Sequence, residues 1–168
     1  MSTNKATLRN LPGFRTIGKI GLMLMLVLLQ FQSNAQAKKA PRSNEHSAIE
    51  KLIFTYQDAL NASDANRVLA LYTKDGVLMA NAAPTAEGAE AVKGTYQYVF
   101  DNFTYTLQFA VLEVEVQGNV AFARSTSKGS FVIKASGQTV ADENRELFVF
   151  EKENGQWKIA RYMYNKTK

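Results

Sequence analysis

The spacing of apolar residues divides the chain into a helical part and an extended part. Between residues 47 and 103 the apolar side chains recur every three or four positions, as on one face of an α-helix. Ser47-Ala48-Ile49-Glu50 has the form of a capping box, and Asp64 can cap a second, shorter helix. The apolar positions of the three predicted helices are Ile49, Leu52, Ile53, Tyr56 and Leu60, then Val68, Leu69, Leu71 and Tyr72, then Val92, Tyr96, Val99, Phe100 and Phe103. A short strand over residues 77–79 is predicted before the third helix.

From residue 104 onward, apolar residues alternate with polar ones, which is the period of a strand with one buried face. The predicted strands cover residues 104–116, 120–133, 144–153 and 156–164. Gly118-Asn119 and Asn154-Gly155 are turn signals within two hairpins, and Ser136-Gly137 supplies a turn between them. Helices followed by consecutive antiparallel strands predict an α+β fold, with three N-terminal helices packed on a curved antiparallel sheet.

The hairpin turns predict which residues lie opposite each other. A two-residue loop in the first hairpin places Glu113 opposite Arg124, and the second hairpin places Glu151 opposite Lys158. Opposite charges in such cross-strand pairs are mildly stabilising, which supports both registers. A slip of one residue would move every side chain of a strand to the other face.

These registers give the sheet two chemically different faces. One face carries charged and aromatic side chains: Arg124, Lys128, Glu146, Phe148 and Arg161. In the first hairpin the opposite face carries small and apolar side chains: Ala110, Leu112, Val114, Ala123, Ser125 and Ser127. A flat apolar patch of this kind is typical of a protein interface when it is exposed.

Composition excludes several classes of site. The chain has 168 residues with no cysteine and one histidine, so disulfides, thiol nucleophiles, cysteine-ligated metals and His-His metal motifs are excluded. No metal or other cofactor is predicted. Of the net charge of +5, residues 1–37 contribute +4, because they carry four basic residues and no acidic one. The nearly neutral remainder argues against a nucleic-acid partner, which would require a basic face in the folded part.

The first 37 residues have the pattern of a secretory signal peptide. Four basic residues precede residues 20–29, which are uncharged and largely apolar, and Ala35-Gln36-Ala37 offers a cleavage site. A membrane anchor would need about 18–20 apolar residues, and Gln30 interrupts the stretch too early. We therefore expect an exported protein, periplasmic or secreted, that starts at Lys38 and has no membrane association after cleavage. Residues 38–45 are predicted to be a flexible lead-in and residues 46–168 the folded domain.

Three segments carry a resemblance to a known family. They are Tyr56-Gln57-Asp58-Ala59-Leu60-Asn61-Ala62-Ser63-Asp64, Leu71-Tyr72-x-x-Asp75-Gly76 and Trp157-Lys158-Ile159-Ala160-Arg161. With the order of elements, they resemble the nuclear transport factor 2-like superfamily, in particular its SnoaL-like and ketosteroid-isomerase-like branch. The resemblance implies a cone around a small-molecule pocket and a homodimer through the outer face of the sheet. On that plan the charged and aromatic face turns inward and the small-residue face turns outward.

The resemblance also implies roles for single residues. Tyr56 stands where ketosteroid isomerases place an oxyanion-hole tyrosine, and Glu146 stands near their protonated carboxylic acid. Their aspartate base would fall near Ala80, but residues 80–83 contain no group that can take a proton. Steroid isomerisation by that mechanism is therefore not supported, and the polyketide-cyclase activity of the branch lacks an evident acid–base residue as well.

Three functions remain open at this point. The first is a pocket that binds a small, partly apolar and anionic molecule, with Tyr56, Arg124, Lys128, Glu146, Phe148 and Arg161 as ligand-binding candidates. In this hypothesis Arg161 keeps Glu146 ionised. The second is a non-catalytic dimerisation or interaction module, and the third is an isomerase or cyclase with a non-standard acid–base residue. A cavity of about 300 Å³ or more would favour the first hypothesis over the second.

Overall fold

The computed structural model describes residues 44–167, which form three helices and six strands. In chain order these are α1 (Asn44–Asn61), α2 (Ala65–Leu69), β1 (Tyr72–Met79), β2 (Ala86–Glu87), α3 (Ala89–Asn102), β3 (Phe103–Gln117), β4 (Val120–Ile133), β5 (Gln138–Glu153) and β6 (Gln156–Lys166). None of the described helices has the length and hydropathy that a membrane crossing requires. The predicted signal peptide, residues 1–37, lies outside the described residues. Most of the predicted lead-in does too, but its last two residues already belong to α1.

All six strands belong to one curved, unclosed sheet in the order β2-β1-β6-β5-β4-β3. Every neighbouring pair is antiparallel except β1 and β6, which run parallel. The helices precede the long strands in the chain, so the predicted α+β fold with three N-terminal helices is confirmed. The apolar sides of the helices and of the sheet share one core, in which Ile49, Ile53, Val68, Val92, Phe148 and Ile159 are fully buried.

The helices lie where the apolar spacing predicts them, but with different ends. α1 already includes Asn44, so Ser47 lies inside the helix rather than at its N-cap. Asp64 does cap α2, since its side chain accepts a hydrogen bond from the backbone N–H of Arg67 at 3.0 Å. The prediction of a longer second helix is wrong, because α2 ends at Leu69 and β1 follows. Tyr72 fits the helical spacing of apolar residues, but it pairs with Ile159 of β6 and therefore belongs to the extended backbone of β1.

Side chains of α1 cover the edge strand β3. The amide of Asn61 forms two hydrogen bonds of 2.8 Å with the backbone of Leu107, donating to its carbonyl oxygen and accepting from its N–H. The N–H of Phe109 donates to Gln57 Oε1 at 2.8 Å. Because an edge strand leaves backbone groups unpaired, these side-chain bonds satisfy three of them and hold α1 on the inner face of the sheet.

Both long hairpins have the predicted turns and the predicted pairs next to them. Glu113 lies opposite Arg124, and Glu151 lies opposite Lys158. In the second turn Asn154 and Gly155 both have positive φ, at 52° and 77°, as a type I′ turn requires. Local turn chemistry therefore sets the register where each hairpin begins.

Farther from the turns, a bulge shifts each register by one residue. Leu112 has no cross-strand partner in the first hairpin, and Ala160 has none in the second. Beyond the second bulge Phe148 pairs with Tyr162 and Arg161 pairs with Val149, so the prediction that Phe148 and Arg161 share a face is wrong. The extra residue turns Arg161 to the outer face of the sheet, in keeping with the effect of a one-residue slip.

The face assignment of the first hairpin is also wrong, for a different reason. On β4 the small side chains Ala123 and Ser125 are fully buried, and they lie opposite Phe148 and Glu146 of β5. Large side chains of β5 fill the space over small ones of β4, which gives the dense packing of a protein interior. Ser127 is likewise buried, so the patch predicted to form a dimer interface belongs largely to the core.

Candidate functional site

A cavity of about 130 Å³ lies between the inner face of the sheet and the helices α1 and α3. Its wall is largely aromatic and includes Tyr56, Tyr96, Phe103, Tyr105, Phe109, Phe131, Tyr162 and Tyr164. A strip of polar side chains from β4, β5 and β6 crosses this wall: Ser127, Asp142, Asn144, Glu146 and Lys166. The cavity therefore combines aromatic surfaces with one line of hydrogen-bonding groups. Its volume is below the value of about 300 Å³ that would favour the pocket hypothesis over the dimerisation module, so the volume alone does not support ligand binding.

Three tyrosine hydroxyls form a buried chain beside the cavity. The hydroxyl of Tyr96 lies 2.8 Å from that of Tyr56 and 2.9 Å from that of Tyr72. Burial raises the pKa of all three phenols well above the ordinary value of 10, because an ionised oxygen would lose its hydration. Tyr56 thus lines the cavity as predicted, but its hydroxyl is neutral and already bonded to Tyr96.

Glu146 projects from β5 into the polar strip and is 4% exposed. The hydroxyl of Ser125, directly opposite on β4, donates to Glu146 Oε2 at 2.7 Å. Within residues 44–167 no basic side chain forms an ion pair with this carboxyl group. The groups that act on this carboxyl are the hydroxyls of Ser125, Ser127 and Tyr162 and the like charge of Asp142.

Burial raises the pKa of Glu146 to about 7, because the charged form loses its hydration. Hydrogen bonds from the hydroxyls of Ser125, Ser127 and Tyr162 act in the opposite direction, since they stabilise the carboxylate, and they do not offset the burial. The carboxyl group consequently changes its protonation state near neutral pH. The expectation that an arginine keeps Glu146 ionised is wrong.

Arg161 lies on the outer face and points its guanidinium at backbone groups. Its Nη1 donates to the carbonyl oxygen of Asp75 at 3.3 Å and to that of Ala160 at 2.7 Å. The bulge at Ala160 explains this position, because without it Arg161 would share the inner face with Ile159. Arg161 therefore does not meet Glu146 or the cavity.

Arg124 and Lys128 also lie on the outer face, where each pairs with an acid. Arg124 Nε is 3.0 Å from Glu113 Oε2, and Lys128 Nζ is 2.8 Å from Glu143 Oε1. The hydrogen bond to Glu143 raises the pKa of Lys128. Their predicted position on the inner face is wrong, since the small residues between them on β4 are the ones that turn inward.

Phe148 is on the inner face as predicted, but it lies behind the cavity wall. It is fully buried, and its ring stacks on that of Tyr162 with 4.2 Å between centroids. Its edge-on contact with Tyr56 has a centroid distance of 5.8 Å. Phe148 thus supports two wall residues without being part of the lining.

Asp142 and Asn144 precede Glu146 on the same face of β5 and were not predicted as site residues. Asn144 Nδ2 donates to Asp142 Oδ2 at 3.0 Å and to Ser127 Oγ at 3.2 Å. Lys166 Nζ lies 3.1 Å from the other carboxylate oxygen of Asp142. Lys166 is the one basic side chain among the described lining residues, and it is already paired with an acid.

A sequence signal for these two residues exists. Asp142, Asn144 and Glu146 alternate with period two directly before Phe148 and Phe150, which places all five on one face of a strand. The predicted strand begins at residue 144, whereas β5 begins at Gln138, so Asp142 lies outside the predicted strand. A polar run on the buried face of a strand is the pattern that would have indicated the site.

Ala80 follows β1 and lines the cavity. The resemblance described above places the aspartate base of ketosteroid isomerases near this position, and a methyl group cannot accept a proton. Among the described lining residues, Glu146 is the group whose pKa burial brings close to neutrality.

Residues 54–162 match the family model of the SnoaL-like domain. A ketosteroid isomerase-like protein from Erwinia carotovora atroseptica is similar to this chain at 32% identity. The match covers 76% of this chain and 99% of that one, with a TM-score of 0.72. No curated protein matches the sequence.

Two solved structures from Novosphingobium aromaticivorans are similar at lower identity. One is a candidate scytalone dehydratase at 21% identity, covering 74% of this chain and 85% of that one, with a TM-score of 0.65. The other is a nuclear transport factor 2-like protein with a cystatin-like fold at 20% identity, covering 92% of both chains, with a TM-score of 0.60. These two likenesses are of fold alone.

Proposed function

Because the chain belongs to the SnoaL-like domain family, we propose that it binds one small, uncharged and partly aromatic molecule in the cavity. The observation that carries this proposal is a buried carboxyl group, without a basic partner in residues 44–167, that faces an aromatic-walled cavity. When protonated, Glu146 can donate a hydrogen bond to a carbonyl or hydroxyl oxygen of the ligand. Aromatic walls favour a flat ring through edge and stacking contacts.

The cavity volume limits the size of the ligand. A cavity of about 130 Å³ is smaller than the range of roughly 300–1,000 Å³ typical of drug-sized ligands. An apolar cavity of about 150 Å³ is sufficient for benzene. We therefore expect a ligand with a single ring and few substituents, and not a steroid.

The charges around the cavity favour an uncharged ligand. Asp142 and Glu146 are the two acids in its described lining, and Lys166 is already paired with Asp142. Arg124 and Arg161, on which the expectation of an anionic ligand depends, lie on the other face of the sheet. An anion would therefore lose hydration without gaining a free cation.

Benzamide and benzoate provide a matched test, since they have the same shape and differ in charge. We expect calorimetric titration at pH 6 to detect benzamide binding and to give at least tenfold weaker binding for benzoate. Ala80→Phe should abolish benzamide binding by filling the cavity. Ala141→Phe, at an exposed position of β5, is the control and should leave it intact. Failure of both probes to bind, or equal binding by the Ala80→Phe variant, would refute the pocket hypothesis.

A second candidate function is proton transfer by Glu146. A carboxyl group whose pKa lies near the working pH can both donate and accept a proton, as general acid–base catalysis requires. We expect deuterium from D₂O to enter the carbon next to the carbonyl of acetophenone faster with the protein than without it. Glu146→Gln should remove this acceleration, and Glu113→Gln on the outer face should retain it. Exchange that is equally fast in the Glu146→Gln variant would exclude Glu146 as the base.

Homodimerisation through the outer face remains part of the proposal, with different residues from those first predicted. Leu147 and Met163 are direct cross-strand neighbours there, and Phe122 lies on the same face of β4. Each of the three is more than one third exposed. We expect the wild type to sediment as a dimer and Leu147→Arg to sediment as a monomer. Gln108→Arg, near the edge of the sheet, is the control and should remain a dimer. A wild-type monomer at high concentration would contradict the dimer.

Export is proposed on the sequence of the first 37 residues alone. If the signal peptide is cleaved after Ala37, N-terminal sequencing of the exported protein should start at Lys38. Exported material that still contains Met23 would show that the apolar segment is retained.

A further inference from the structure

Asn144 lines the cavity, and its buried Oδ1 has no hydrogen-bond partner among residues 44–167. We propose that Asn144 Oδ1 accepts a hydrogen bond from a hydroxyl or amino group of the ligand, so that the cavity selects rings carrying a donor. This inference rests on the proposed binding function and adds the chemical group that the ligand must present. Asn144 is 4% exposed, and in residues 44–167 no donor reaches its Oδ1.

The orientation of the Asn144 amide follows from its neighbours. Both protons of Nδ2 have acceptors, Asp142 Oδ2 at 3.0 Å and Ser127 Oγ at 3.2 Å. Because Asp142 also forms an ion pair with Lys166, its Oδ2 acts as an acceptor, so the amide nitrogen and not the oxygen faces it. The flipped amide would set two acceptors against each other. Oδ1 is therefore the atom left for a ligand.

Asn61, which is half-buried, forms hydrogen bonds with both the nitrogen and the oxygen of its side-chain amide. Both bonds are 2.8 Å long and join it to the backbone of Leu107. Asn144 uses only its nitrogen, although it is more deeply buried. Leaving a buried acceptor unpaired costs free energy, and a native structure generally pairs such an atom. A ligand donor in the cavity would restore the bond that Asn61 makes internally.

The carboxyl group of Glu146, on the same strand, is a second polar group that a ligand would meet. Glu146 follows two residues after Asn144 and also lines the cavity, with Ser125 donating to its Oε2. The strip thus offers an acceptor at Asn144 and a titratable group at Glu146, between aromatic walls. This arrangement fits an uncharged hydroxylated or aminated ring better than a plain hydrocarbon of the same size.

Phenol and toluene test this inference because they differ only in a hydroxyl and a methyl group. We expect calorimetry on the purified protein at pH 6 to give about tenfold tighter binding of phenol than of toluene, the effect of one net hydrogen bond. In Asn144→Leu the two affinities should come within about twofold of each other. Asn165→Leu, the same change at an exposed position of β6, should keep the wild-type preference.

A second measurement does not depend on the folding of a variant. In wild-type protein, phenol should shift the side-chain amide resonances of Asn144 in ¹⁵N NMR spectra, whereas toluene should not. If toluene binds as tightly as phenol, the inference is wrong while the binding function stands. If phenol keeps its preference in a folded Asn144→Leu variant, another group accepts the hydroxyl and the assignment to Asn144 is wrong. If neither ring binds wild-type protein, the proposed function fails and the inference fails with it.

Discussion

Glu113 and Glu146 lie on opposite faces of the same sheet, and their surroundings differ in both water and charge. The side chain of Glu113 is 40% exposed and pairs with Arg124 at 3.0 Å. Glu146 is buried and accepts a hydrogen bond from Ser125, with no basic partner in the described part of the chain. The outer face also pairs Lys128 with Glu143, so its charges are balanced in contact with water.

The difference follows from what each group can do when it is buried. A guanidinium group stays charged at any ordinary pH, so burying it requires a compensating acid in the interior. A carboxyl group can instead take up a proton and enter the interior as a neutral donor. The inner face therefore tolerates Glu146 without an arginine, and the same property makes it the chemically adaptable group of the cavity.

The largest expected difference between the faces is in packing. Phe148 is fully buried against Tyr162 and Tyr56, so Phe148→Ala should lower the free energy of unfolding by about 3–5 kcal/mol. Phe122→Ala removes the same ring from the outer face and should cost less than about 1 kcal/mol in a monomer. Denaturant unfolding at low protein concentration measures both. Equal losses would show that the outer face is as well packed as the inner one.

The next effect is the pH dependence of stability that Glu146 imposes. Its pKa is raised in the folded protein, so protonation favours folding, and this contribution is present below the ordinary pKa of 4.5 and lost as pH rises through about 7. Between pH 5 and 8.5 the unfolding free energy of the wild type should fall by about 2–3 kcal/mol more than that of Glu146→Gln, which lacks the titrating group. The unfolding free energy of the control variant Glu113→Gln should depend on pH as that of the wild type does. A Glu146→Gln variant that is strongly destabilised at pH 8.5 would show that the carboxylate has a cationic partner.

The smallest effect is expected for the cations of the outer face. Arg124→Ala breaks an exposed ion pair, which generally contributes between zero and about 1 kcal/mol. Because Arg124 is remote from the cavity, the affinity for benzamide or phenol should stay within twofold of the wild type. Calorimetric titration of this variant checks the point. A tenfold weaker affinity would place Arg124 at the ligand after all.

The residues that were predicted correctly have their positions set by local periodicity. Tyr56 lies on the apolar face of α1, and Glu146 lies on the same face of a strand as Phe148 and Phe150. Helical and extended repeats assign such faces from neighbours within a few positions in the chain. The two hairpin turns depend on dipeptides in the same way. The family resemblance extends this local information to a complete fold, which the family model and the structural neighbours confirm.

By itself, the sequence determined the helices and hairpins, the family, and the inward position of Tyr56 and Glu146. Only the tertiary structure decided that Arg161 turns outward, that Ala123 and Ser125 are core, and that Asn144 lines the cavity with an Oδ1 that has no partner in residues 44–167. The bulge at Ala160 forms where β6 pairs with β5, and the small residues of β4 are buried because large side chains of β5 lie opposite them. Both features depend on contacts between different strands. Their stability comes from packing and pairing across the sheet, and no local repeat of apolar residues carries that information.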